Sequence, residues 1–252
     1  ELADFRRVFV QLEWFWFTAS MLVFIPIFWL RAYRLILMFG RQLSVMESVR
    51  FTLAASSLNL ALPAKGGEFV KGYFLKKHLS IDSNTSFSAI IYERVLDVGA
   101  LLLILIVAQT YWQNFSNFVV LLFVVGTTIA VIIYFYINLS TKPNQLVLIA
   151  LNRFPKVREF YTSSRMFFSD HFSKGPAIRT ILVTVILWLV HLAQFFCFFM
   201  TLGYEGPSIT IFTLVPIVIF VGLIPISLAG IGTRDVALIY FFSSWTSPEL
   251  AA

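Results

Sequence analysis

The sequence predicts an all-α, polytopic integral membrane helix bundle with two broken or re-entrant helical segments, related as candidate inverted repeats. Hydrophobic residues make up 59% of the chain and charged residues only 13%, with a mean hydropathy of +0.84. Soluble domains carry roughly 25% charged residues. Four apolar runs have the length that a bilayer core demands, about 20 helical residues. Two further apolar segments are cut by proline and glycine, the pattern that marks a midplane binding site in membrane bundles built from repeats.

The expected spans are residues 12–30, 87–109, 118–139 and 178–202. The first follows Arg6-Arg7 like a signal peptide, but its apolar run is too long for an h-region and lacks a small-residue cleavage site. Basic residues set the expected orientation. Arg31, Arg34, Arg41, Arg50, Lys65, Lys71, Lys76 and Lys77 fall between the first two spans, and Lys142 through Arg179 supply a second basic connection. The connections 110–117 and 203–208 carry no Lys or Arg. The positive-inside rule therefore places the basic connections in the cytoplasm and the N-terminus outside, with Arg6 and Arg7 discordant. A preceding span would reconcile them, and the absence of an initiator methionine before Glu1 leads us to expect a piece of a longer protein.

Residues 49–62 form an apolar run of about 14 residues, too short to cross. It stops at Pro63, Gly66 and Gly67, and resumes over 69–79. Residues 210–228 contain Pro216, Gly222 and Pro225, break at Gly230 and Gly232, and resume over 236–245. Between the third and fourth spans, apolar residues alternate with Arg153, Lys156, Arg158 and Arg165. That pattern suits amphipathic helices in the interface, either bracing the bundle or gathering anionic headgroups.

The net charge of +6 does not indicate nucleic-acid binding, because the positive charge collects where anionic lipid would lie and no soluble reading element is present. His78, His171 and His191 lack metal-site spacing, so neither a metal nor a cofactor is expected. Gly230-Ile-Gly232 is not a dinucleotide fingerprint. Cys197 is the single cysteine and excludes an intramolecular disulfide.

The ionisable residues within or beside apolar segments are Glu68, Lys71, Glu93, Arg94, Asp97, Arg234 and Asp235. An ionisable group at membrane depth costs at least about 2.5–3.5 kcal/mol and so faces protein or water. Arg94 and Asp97 are i,i+3 neighbours on a helix and Glu93 and Asp97 are i,i+4 neighbours, so one arginine between two carboxylates leaves an acid in need of a partner that Lys71 or Arg234 can supply. Such a cluster serves either to fix helix packing or to hold a headgroup. Glu68 and Asp235 each follow glycines at the start of a resumed helix. They are either favoured by the positive helix end or part of two half-helix N-termini that face each other across a phosphate site.

In order, Trp29-Leu-Arg31-Ala-Tyr-Arg34, Asn59-Leu-Ala-Leu-Pro63-Ala-Lys-Gly66-Gly67-Glu68 with Lys71, Tyr92-Glu93-Arg94-Val-Leu-Asp97 and Pro225-Ile-Ser-Leu-Ala-Gly230-Ile-Gly232-Thr-Arg234-Asp235 resemble the lysylphosphatidylglycerol synthase transmembrane, or flippase-like, family. Asp235 departs from the glutamate more usual there. The resemblance implies a single flippase-like domain over residues 1–252, without the terminal helices of the full family unit, in a prokaryotic cytoplasmic membrane. It implies handling of a phospholipid or polyprenyl-linked lipid. No soluble aminoacyl-transfer domain is present, so lysylphosphatidylglycerol synthesis is not expected.

The leading expectation is a lipid transporter. Lys71, Arg94 and Arg234 would hold phosphate, and Glu68, Glu93, Asp97 and Asp235 would pair with them or with a cationic headgroup. The alternatives are a membrane-embedded transferase using Glu93 or Asp97, and a non-transporting partner of an envelope-synthesis enzyme. A homo-oligomer is also compatible with the sequence.

Overall fold

The computed structural model describes residues 12–61, 66–111, 125–129, 131–134, 148–149, 151–173, 175–222 and 232–243. Among them there is no strand. The helices are α1 (Trp14–Phe39), α2 (Val45–Ala61), α3 (Gly67–Leu79), α4 (Ser83–Tyr111), α5 (Pro155–Ser173), α6 (Pro176–Thr201), α7 (Ser208–Val221) and α8 (Thr233–Phe242). Residues 125–129 and 131–134, within the expected span 118–139, are also helical.

Helices α1 and α6 are each long and apolar enough to cross a membrane. They run antiparallel. Glu13 N donates to Thr201 O at 3.2 Å, Gln194 Nε2 donates to Ser20 O at 3.2 Å, and Arg34 Nη1 donates to Thr184 Oγ1 at 3.3 Å. Their outward faces are apolar stripes at helical spacing, Leu22, Ile25 and Trp29 on α1 and Ile178, Leu182, Ile186 and Leu189 on α6. Apolar side chains exposed in such rows suit a hydrocarbon solvent and would aggregate in water.

The sequence placed the end of the first span at Leu30, but α1 continues to Phe39. The extension follows from Leu35-Ile-Leu-Met-Phe39, an apolar run that resumes behind Arg31 and Arg34. Leu35 and Met38 are buried, so both arginines sit within a packed helix rather than in a connection.

Helices α2 and α3 form the first broken segment. A Cβ on Gly67 would lie 2.1 Å from Ala55 O and 2.8 Å from Asn59 N, so only glycine lets α3 begin against the α2 backbone. On the opposite face, a Cβ on Gly72 would meet Ile90 Cδ1 at 2.7 Å. Helix α3 is thereby wedged between α2 and α4. Pro63 lies outside the described residues.

The second broken segment packs on α4 and α6 through an apolar core that includes Ile104, Leu192, Phe199, Ile211, Val215, Val218 and Phe242. A Cβ on Gly222, at the end of α7, would lie 3.5 Å from Arg234 Cβ, so α7 ends beside the start of α8. Gly232, with φ +94°, turns the chain into α8. Pro225 and Gly230 lie outside the described residues.

Helix α5 carries the amphipathic pattern. Its Phe168 is fully buried and meets Tyr92 of α4 edge-on, with ring centroids 4.9 Å apart.

Candidate functional site

One ion network ties α1, α3 and α4 together. Arg34 on α1 is 1% exposed and forks between two carboxylates of α4, with Nη2 2.5 Å from Glu93 Oε1 and Nη1 2.5 Å from Asp97 Oδ1. The fixed fork of guanidinium suits this arrangement, and the spacing of Glu93 and Asp97 puts both acids on one helix face. The other Glu93 oxygen takes Lys71 Nζ of α3 at 2.5 Å, and Lys71 also reaches Glu68 Oε2 at 3.1 Å.

Arg94 closes the network from the more open side. Its Nη2 lies 3.3 Å from Glu68 Oε1, 3.3 Å from Asp97 Oδ2 and 3.9 Å from Glu93 Oε1. Asn59 Nδ2 donates to Glu68 Oε1 at 3.3 Å, and Trp188 Nε1 of α6 donates to Asp97 Oδ1 at 3.0 Å. Each carboxylate of Glu68, Glu93 and Asp97 is therefore matched by cations from Arg34, Lys71 and Arg94. Such matching is what makes charge tolerable away from water, where a lone ion costs several kcal/mol.

The network opens on a cavity of about 290 Å³ lined by Arg31, Arg34, Arg94, Asp97, Trp188 and His191, with Val98, Leu101, Leu187 and Ile219 as its apolar walls. At about 30 Å³ per molecule, that is room for roughly ten waters. Arg31 Nη2 lies 3.0 Å from His191 Nε2, with the imidazole nitrogen as acceptor. Through Ile219, helix α7 of the second broken segment walls the cavity whose charged side carries Arg94.

Glu68, Lys71, Glu93, Arg94 and Asp97, all singled out from the sequence, meet in this one cluster. Among the described residues Arg234 and Asp235 do not join it. Arg234 Nε lies 3.8 Å from Asp235 Oδ1 with its side chain 46% exposed, and Asp235 Oδ2 accepts from Gly232 N at 2.9 Å, serving the start of its own helix. The space left by Gly67 is occupied by the Ala55 carbonyl, a helix-packing use. Gly66 forms the turn before α3.

Sequence reasoning missed Arg34, Arg31, Trp188 and His191 as site residues. The first two counted as cytoplasmic charge once the span was ended at Leu30. The apolar run beyond them was the available signal, since arginines three apart followed by Leu35 to Phe39 belong to a continuing helix. Among the described residues no group of His, Cys, Asp and Glu is arranged to hold a metal.

The helical architecture, lipid-suited outer stripes and interior ion network define an all-α membrane protein. Residues 1–252 match the family described as Lysylphosphatidylglycerol synthase TM region, and the chain belongs to that family. It is 24% identical over 206 residues to a UPF0104 membrane protein of Methanocaldococcus jannaschii, covering 74% of this chain and 60% of that protein. A UPF0104 membrane protein of Methanothermobacter thermautotrophicus is 21% identical over 226 residues, covering 79% of this chain and 66% of that protein. One of Archaeoglobus fulgidus is 21% identical over 227 residues, covering 82% and 68% respectively. The chain thus spans about 60% of the first of these relatives. No solved structure matches it.

Proposed function

We propose that this chain is a multi-pass protein of a prokaryotic cytoplasmic membrane that moves a polar, phosphate-bearing lipid headgroup between leaflets. The observation that carries this reading is the cavity of about 290 Å³ among α1, α4, α6 and α7, with arginines on one side and apolar walls on the other. A headgroup crossing hydrocarbon loses its hydration, and fixed guanidinium donors replace that water while acyl chains stay in the bilayer.

The network divides into two working parts in this reading. Arg34, Lys71 and Glu93 are buried and hold α1, α3 and α4 in register. Arg94, whose side chain is 36% exposed, faces the cavity and meets the phosphate while Glu68 and Asp97 steady it. Arg234 and Asp235 mark the second break, close to the end of α7.

The test is leaflet exchange of a headgroup-labelled phospholipid in vesicles containing the purified protein. Glu68→Gln and Arg94→Ala are each expected to slow exchange about tenfold or more, the effect of losing one charge-assisted contact, while membrane insertion persists. Wild-type rates in both variants would remove the ion network from the mechanism.

A further inference from the structure

The charges around the cavity do not balance, and the sign of the excess selects a ligand. Glu68, Glu93 and Asp97 are offset by Arg34, Lys71 and Arg94. Arg31 is a further cation on the same cavity, and its one polar partner among the described residues is His191. Among the described residues neither buried Arg94 Nε nor Glu68 Oε2 has a hydrogen-bond partner, but the charge on that Glu68 oxygen is offset by Lys71 Nζ at 3.1 Å. Guanidinium donors therefore remain over, whereas no carboxylate of the cluster is left without a cation.

We propose that the cavity binds the phosphodiester of a lipid whose headgroup carries one net negative charge, held by Arg31 and Arg94, and that it disfavours cationic, aminoacylated headgroups. This rests on the reading of the cavity as a headgroup site. Phosphate oxygens accept from planar guanidinium forks in the geometry that arginine presents best. With His191 Nε2 accepting from Arg31, the imidazole orients the guanidinium without adding a charge. The Trp188 indole N–H is spent on Asp97, which fixes that carboxylate against the network and away from a ligand amine. An ammonium entering the cavity would meet Arg31, Arg34 and Arg94 with no free acid among the described lining residues to receive it, and uncompensated like charge in a desolvated site is strongly disfavoured.

Native mass spectrometry of the purified chain, titrated with dioleoylphosphatidylglycerol and separately with lysyl-phosphatidylglycerol, tests this without any substitution. Phosphatidylglycerol is expected to bind at least tenfold more tightly. Arg31→Gln should weaken its binding about tenfold and erase the preference, Arg31→Lys should retain part of both, and His191→Gln should fall between wild type and Arg31→Gln. Equal or tighter binding of the lysyl lipid overturns the proposal, as does unchanged phosphatidylglycerol affinity in an Arg31→Gln protein that elutes as wild type. Inorganic phosphate competing as well as the lipid would overturn the lipid source of the anion. In vesicles, binding with the stated preference but no leaflet exchange would sink the transport reading alone. Exchange of both lipids at one rate would sink the charge selection alone.

Discussion

Lys71 Nζ lies 2.5 Å from Glu93 Oε2, so the first helix after the Gly66-Gly67 break is locked by charge to the middle of the membrane bundle. Lys71 is only 4% exposed, and neither partner has water to fall back on. Truncating one member of such a pair leaves the other buried and uncompensated, a loss of about 3–5 kcal/mol. Lys71→Met should therefore lower the melting temperature in detergent by about 10 °C, given 2–4 °C per kcal/mol for chains of this size. A shift within error would show that the pair carries little of the fold.

Arg34 is expected to resist conservative exchange. It bonds Glu93 and Asp97 through separate nitrogens, a span that a single ammonium does not reproduce. In the same melting assay, Arg34→Lys should restore less than half of what Arg34→Ala loses. Full rescue by lysine would mean that charge alone, and not the fork, sets the register of α1 on α4.

Gly67→Ala should disturb the structure more than most single-methyl additions. The new carbon would fall 2.1 Å from a backbone oxygen of α2, which cannot swing aside as a side-chain end can. We expect loss of the monodisperse peak in size-exclusion chromatography. Gly72→Ala should be milder, because the first obstacle there is the mobile end of Ile90. Equal behaviour of the two variants would contradict the packing described for α3.

His171, on the amphipathic helix α5, supplies a pH dependence. Burial pushes its imidazole down to about 4, and its Nε2 sits 3.1 Å from Thr180 Oγ1 with the Tyr92 ring 5.1 Å away. Because the folded value lies below the ordinary 6.5, the unfolded chain takes up the proton first as acid is added. This contribution is complete above pH 6.5 and is lost progressively as the pH falls to about 4. Melting temperatures measured across that window should decline, and His171→Gln should flatten the decline. Glu47, held below the usual carboxylate range by hydrogen bonds from Ser44, contributes fully above its ordinary 4.5, loses that contribution only at more acid pH, and so serves as an internal comparison.

Much of this arrangement was readable from residue order, for identifiable reasons. Apolar runs and their proline and glycine breaks report local geometry, so α2, α3, α7 and α8 emerge close to where Gly67 and Gly232 predict them. The grouping of Glu93, Arg94 and Asp97 follows from helical spacing alone. Their cross-helix partners do not, because nothing local states that α1 lies beside α4. In one dimension Arg34 is legible only as positive charge beyond a span ending at Leu30, whereas in the structure Leu35 to Phe39 carry the helix on past it. Trp188 and His191 are ordinary members of an apolar span in one dimension, and they become polar wall groups only when α6 packs against α1 and α4. Conversely, Arg234 and Asp235 carry a strong local signature, yet α8 leaves them paired to each other and apart from the main cluster.

The separation of Arg34 from its acids bears on how the protein is made. Glu93 and Asp97 follow it by 59 and 63 residues, so a ribosome delivers α1 to the membrane well before either carboxylate exists. During that interval the newborn helix holds a guanidinium for which hydrocarbon offers no counterion, at a cost of about 2.5–3.5 kcal/mol at mid-membrane. Biogenesis is therefore expected to run in two stages, with α1 settling into its final depth when α4 arrives to neutralise Arg34.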